Sequence, residues 1–243
     1  MLLETYCEHA GLTAGLIGNE STRATAGAVQ AHQTALLSLL TPDALDSSTV
    51  QWSYQVPELG DAGACSLFGQ IADEPYDLTR TLGGRTASNQ RLLAIATLVV
   101  QYYRQHSRSQ WFGIYQARRN SAEERVLVKL AYFGAESRAE FPLTEEFAKG
   151  SNNSAVGLSG RARLINDVAA YVAEGGGYYT CDPKVKAEAC LPLFDASGNV
   201  VGILDSEAFD PNFFAGDELA LVIAVALVLC GDVLESTTPI AST

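Results

Sequence analysis

The sequence predicts a mixed α/β fold, and three observations carry that expectation. Residues 187–194 and 200–207 are strand-length runs flanking Asp195-Ala-Ser-Gly-Asn199, a polar loop of hairpin length. Gln110 to Gln116 alternates like a strand, with Trp111, Gly113 and Tyr115 on one face and Phe112 and Ile114 on the other; Val126 to Tyr132 reads as the next strand. Two helices accompany these strands. Thr86 to His106 gathers Leu92, Leu93, Ile95, Ala96, Val99, Val100 and Tyr103 on one broad side, and the apolar run within Asp217 to Leu234 implies a closing helix buried on most sides.

The chain has 243 residues, 47% of them hydrophobic, enough for one large domain or one domain with an extension. A formal net charge of −12 makes it a poor partner for nucleic acid and for anionic lipid. No basic segment followed by an apolar one opens the chain, and Leu219 to Cys230 is too short to span a bilayer. Cysteines 7, 65, 181, 190 and 230 are scattered without a CxxC pair, which suggests neither a disulfide framework nor a zinc site. A cytoplasmic protein is the expectation.

In chain order, Thr22 to Leu40 has helical character and is expected to end at Thr41-Pro42-Asp43. Trp52, Tyr54 and Val56 alternate like a strand, and Gly60 to Gly63 reads as loop. Arg118 to Glu124 reads as a charged turn. Phe141 to Ser159 looks like loop, with Lys149 to Ser154 its most flexible part. Arg161 to Ile165 is expected as a short helix or turn. A further loop runs from Asn166 through Glu174-Gly-Gly-Gly177, mobile at its glycines, to Cys181. The expected organisation is an extension over 1–75, a domain over 76–237 and a tail over 238–243.

The C-terminal hairpin concentrates chemistry. If Asp195 pairs with Val200, Glu188 lies opposite Glu207 and Cys190 opposite Asp205, and directly paired residues share a face. Three carboxylates then crowd one face, which stability alone does not favour. Trp111 and Tyr115 on a neighbouring strand would set an aromatic wall beside the acidic one, a pocket for a small cationic ligand; taken singly, both rings also fit core packing. Asp182-Pro183 is expected to open a helical turn, placing Cys181 at a helix N-terminus with Lys184 and Lys186 following, which favours a thiolate. The carboxylates oppose that effect. His9, His32 and His106 all lie in the first half, far in sequence from this thiol.

From Trp111 to Leu234 the chain resembles a GAF domain of the free methionine-R-sulfoxide reductase type. Trp111-Phe-Gly-Ile-Tyr115 is similar to the family's aromatic strand, and Gly157-Leu-Ser-Gly160 to its Gly-Val-Cys-Gly turn, with Asp167-Val168 following in place. Gly177-Tyr-Tyr-Thr-Cys181-Asp182 resembles its Gly-His-Ile-Ala-Cys-Asp run, Glu188 follows, and Gly202-Ile-Leu-Asp205-Ser-Glu207 resembles Gly-Val-Leu-Asp-Ile-Asp.

The resemblance implies a GAF-like central antiparallel sheet flanked by helices, with an N-terminal extension. It implies reduction of free methionine-R-sulfoxide, with Cys181 as nucleophile and Trp111 and Tyr115 around the sulfoxide. Glu188, Asp205 and Glu207 would hold the amino acid and supply a proton. The expected partner is an external thiol or thioredoxin-like reductant, a homodimer is one assembly open to the chain, and no metal or cofactor is expected. Ser159 and Arg138 stand where the family usually places its resolving cysteines, and Glu207 replaces an Asp. That departure leaves a second function open, a non-catalytic GAF module binding a small metabolite in a sensory or regulatory role.

Overall fold

The structure, a computed structural model, describes residues 1–12, 23–60, 66–178 and 182–231. The N-terminal third holds α1 (Leu3–Ala10), α2 (Ala26–Leu39), α3 (Pro42–Ser47), the short strands β1 (Ser53–Tyr54), β2 (Pro57–Leu59), β3 (Ser66–Ile71) and β4 (Tyr76–Asp77), and α4 (Leu78–Leu82) follows. The long helix α5 (Ala87–His106) comes next. Thr25, Thr41, Asp77 and Thr86 each accept a hydrogen bond from a first-turn N–H of the helix they open, satisfying donors a helix start leaves without partners. Pro42 sits at the start of α3, so it opens one helix as well as closing off the one before.

β5 (Trp111–Arg119), β6 (Arg125–Phe133), β7 (Glu140–Pro142), β8 (Arg163–Ile165), β9 (Ala187–Phe194) and β10 (Val200–Ala208) form an antiparallel sheet in the order β7-β6-β5-β10-β9-β8. The expected central antiparallel sheet is thus present. Its two faces are divided by the alternation along β5. Phe112 and Ile114 join the large core beneath α5 and the closing helix α9 (Gly216–Leu229), while Trp111 and Tyr115 join Leu127, Phe141, Cys190 and Ile203 on the opposite face. α9 is apolar all round because it is covered twice, by β9 and β10 on one side and by α2 on the other. Tyr6, Val29, Leu36, Leu45 and Tyr54, all from before residue 76, are buried in that same core.

Several local expectations are corrected. β5 runs on through Arg119, so the turn before β6 is only residues 120–124. The segment 141–159 is not loop: it ends β7 and forms α6 (Glu145–Ala148) and α7 (Asn152–Ser159), capped by the Thr144 and Ser151 side chains. Ser151 to Ser154, expected as the most flexible part, are buried. Residues 163–165 pair with β9 as strand β8, and Asp167 caps α8 (Val168–Ala173) within the expected loop. Gly177, expected to be mobile, lies against the Lys149 carbonyl, where a Cβ would stand 2.4 Å from the oxygen. Of the alternating run 52–56, only Ser53–Tyr54 is strand, and α1 has no counterpart in the sequence reading.

The C-terminal hairpin has the expected register where it matters. Glu207 pairs with Glu188 and Asp205 with Cys190, but Val200 pairs with Phe194 rather than Asp195, because a bulge between Val200 and Gly202 absorbs one residue. At Gly202 the backbone of β5 comes so near that a Cβ would stand 2.2 Å from the Tyr115 carbonyl oxygen. Neither backbone can yield without breaking the β5–β10 ladder. Gly202→Ala should therefore lower stability by about 1–3 kcal/mol. A urea unfolding midpoint unchanged by the substitution would contradict this packing.

Candidate active site

Five side chains selected from the sequence line one cavity of about 70 Å³: Trp111, Tyr115, Glu188, Asp205 and Glu207. A water needs roughly 10–15 Å³ in such a cavity, so the space suits a small molecule. Ser151, Asn152 and Asn153 at the start of α7, the wall 135–137, Phe141 and Asp182 complete most of its lining. Cys181 lies outside the described residues. Its covalent neighbour Asp182 lines the cavity.

Glycine shapes the aromatic wall. A Cβ on Gly113 would stand 2.4 Å from the Trp111 ring, so only glycine between Trp111 and Tyr115 lets the indole lie along the strand. The two ring centroids are 6.3 Å apart, and the indole N–H donates to the Ala135 carbonyl at 3.0 Å. Behind the strand, the Tyr103 hydroxyl donates to Ser206 Oγ, which donates to the Trp111 carbonyl at 3.2 Å. The wall is thereby pinned from both sides.

The acidic wall is electrostatically crowded. Glu188 and Asp205 are buried, each 4% exposed, and Glu207 is half-buried. Burial raises all three carboxyl groups. Asp205 is raised well above the usual range by burial and then by Glu188 and Glu207, against which the Asn153 amide acts at 3.0 Å. Its other oxygen, Oδ1, is buried and has no hydrogen-bond partner among the described residues. Glu207 is pushed up to about 8 by burial, Glu188 and Asp182, with Lys129 pulling the other way. Glu188 is raised by burial, offset by hydrogen bonds from Tyr178 and Asn152 and by the charge of Arg163, which itself donates to Asn152 at 2.8 Å. Among the described residues no group of His, Cys, Asp and Glu is arranged to hold a metal ion.

The sequence reading missed Asn152, Asn153 and Tyr178, which satisfy the acids. The Ser151–Ser154 capping spacing was the available signal for α7. The expected helical turn at Asp182-Pro183 is a plain turn closed by Val185 N–H on the Asp182 carbonyl, because β9 begins at Ala187 and leaves no room for a helix. No helix dipole acts there. Ser159 is exposed at the end of α7 with its hydroxyl on the Ala155 carbonyl, and Arg138 is buried over the rings of Phe141 and Phe147. Cys190 is fully buried, and burial with Asp205 and Glu188 raises its thiol well above the ordinary value.

The raised acids make stability depend on pH. Between its ordinary 4.5 and about 8, Glu207 holds a proton in the folded chain that the unfolded chain releases, so stability falls as pH rises through that window. Melting temperature should drop across it, and drop less in Glu207→Gln. A pH-independent melting temperature in the unmodified protein would refute this electrostatic picture.

No protein-family model matches the chain, and no curated protein matches its sequence. Solved structures do resemble it. A type II free methionine-R-sulfoxide reductase from Thermoplasma acidophilum superposes with a TM-score of 0.50 at 17% identity, covering 62% of this chain and 96% of that one. The Neisseria meningitidis free methionine-R-sulfoxide reductase in complex with its substrate gives a TM-score of 0.48 at 18% identity, over 60% and 78% of the two chains. A GAF sensor protein of Burkholderia vietnamiensis gives 0.43 at 19%, over 57% and 74%. The chain has a GAF-type fold, of the kind found in free methionine-R-sulfoxide reductases.

Proposed function

We propose that this protein reduces free methionine-R-sulfoxide to methionine, with Cys181 as the attacking thiol. The observation that carries the proposal is the convergence of Trp111, Tyr115, Glu188, Asp205 and Glu207 on one small cavity, where a buried oxygen of Asp205 has no partner among the described residues. Buried carboxylates without a cation are costly, and the ammonium of a free amino acid relieves that cost. Aromatic faces suit the apolar thioether end of such a ligand.

The chemistry follows from the crowding. Three neighbouring acids do not all ionise, so one stays protonated near neutral pH, and that proton is assigned to Asp205, which burial, Glu188 and Glu207 together raise well above the usual range. Cys181 attacks the sulfoxide sulfur while Asp205 donates to the sulfoxide oxygen, which leaves more easily once protonated. The sulfur–sulfur bond formed by the attack then breaks as the substrate's S–O bond is lost and the oxygen, with its proton, ends on the cysteine sulfur: the substrate gains two electrons and leaves as methionine, and Cys181 loses two and becomes a sulfenic acid. Two equivalents of an external thiol then restore Cys181, releasing water and the thiol's disulfide. No resolving cysteine is assigned, because Ser159 and Arg138 carry no thiol and Cys190 is a buried, protonated strand residue.

The second reading, a GAF module that binds a small metabolite without turnover, is favoured by those same two positions. Methionine release from free methionine-R-sulfoxide with dithiothreitol separates the two. Turnover is expected in the unmodified protein and lost in folded Cys181→Ser. Undiminished release by that variant would remove Cys181 from the reaction, and binding without release in the unmodified protein would favour the module.

Substrate form provides a separate prediction. N-acetylation removes the ammonium and leaves the carboxylates without their cation, a loss on the order of 3–5 kcal/mol. N-acetylmethionine-R-sulfoxide should thus show kcat/KM lower by at least about 100-fold. Equal rates on both would contradict the roles of the three acids.

A further inference from the structure

One charged side chain on the site face of the sheet has no role in the reaction above. Lys129 pairs in register with Tyr115 and is 0% exposed. A strand lysine ordinarily keeps its head in water. Here the ammonium donates to both the carbonyl and Oγ of Ser137 at 2.7 Å. It also lies 3.8 Å from the ring centroid of Tyr132, 5.0 Å from Tyr54 and 5.9 Å from Trp111. Tyr54 belongs to the N-terminal third, and its hydroxyl donates to the Lys129 carbonyl at 2.7 Å. The caged ammonium therefore bonds the cavity wall at Ser137 and lies over the indole that forms another part of it.

Its charge also acts unevenly on the acids. Glu207 feels Lys129 and Glu188 feels Arg163, whereas Asp205 meets the two glutamates, the Asn153 amide and the Ser206 N–H. We propose that Lys129 is a positioning residue of this cavity: its caged charge fixes the indole and the 135–137 wall and makes Glu207, rather than Asp205, the carboxylate that takes a ligand's ammonium. The inference rests on the amino-acid reading given above, but its decisive readout needs no substrate.

Trp52→Phe leaves Trp111 as the sole tryptophan. In that background, Trp111 emission is titrated against pH for Lys129, Lys129→Met and Lys129→Arg, with melting curves checking the fold. The groups facing Glu207 (Glu188, Asp205, Asp182 and Tyr178) and the Arg163 beside Glu188 are the same in all three proteins. Lys129→Met should move the midpoint up by about one pH unit and weaken L-methionine binding at neutral pH about tenfold. Lys129→Arg should keep the parent's midpoint. A folded Lys129→Met with the parent's midpoint would overturn the proposal. Should Lys129→Met not fold, Lys129→Arg decides: a shifted midpoint overturns the proposal and a retained one supports it. A midpoint shift in a parent that binds no methionine would leave the role of Lys129 standing and count against the methionine sulfoxide reading.

Discussion

Three carboxylates share one small buried volume, and much of the surrounding structure answers that constraint. Pairing Glu207 with Glu188 and Asp205 with Cys190 puts the acids on the face of the sheet that α7 covers. Several elements then help the acids. Asn152 and Asn153 reach in from α7, Arg163 acts from β8, Tyr178 from the segment after α8, and Lys129 from β6. The help is incomplete, since among the described residues Asp205 Oδ1 has no partner. Buried polar atoms in folded chains are rarely left so, and a functional site is one of the few places where the exception is expected.

The opposite face of the sheet supplies the rigidity. α5 and α9 pack on it, and α2 covers α9 in turn, so residues before Tyr76 take part in the core that supports the site. Tyr103 of α5 connects the two faces through Ser206 and the Trp111 backbone. Tyr54 does so by another path, through the Lys129 carbonyl and the aromatic cage around its ammonium. A site built on central strands, with its neighbours locked by packing, holds its geometry more tightly than one on loops.

The hairpin and the long helices were legible because their signals are periodic and local. Alternation along residues 111–115 assigned faces correctly, and charge on 188, 205 and 207 marked the unusual face. The bulge at Val200 was invisible because it changes pairing at the hairpin's open loop end without altering the pattern further along. α6, α7 and α8 are only four to eight residues long, too short for a helical period to emerge, so their caps were the sole clue. β8 is three residues whose strand state depends on β9 beside it. Lys129 was hidden for another reason: a single lysine in an apolar strand normally marks a solvated edge, and only tertiary packing by Tyr54, Tyr132 and the 135–137 wall buries it.

The central claim is that crowding keeps Asp205 protonated at neutral pH, ready to donate to a ligand oxygen. Carbon-13 NMR of labelled carboxyl groups, with Asp205 assigned by its loss in Asp205→Asn, reads that protonation directly. The Asp205 carboxyl is expected to be still protonated at pH 7 and to titrate above it. An Asp205 resonance that titrates near the ordinary aspartate value of about 3.9 would contradict it.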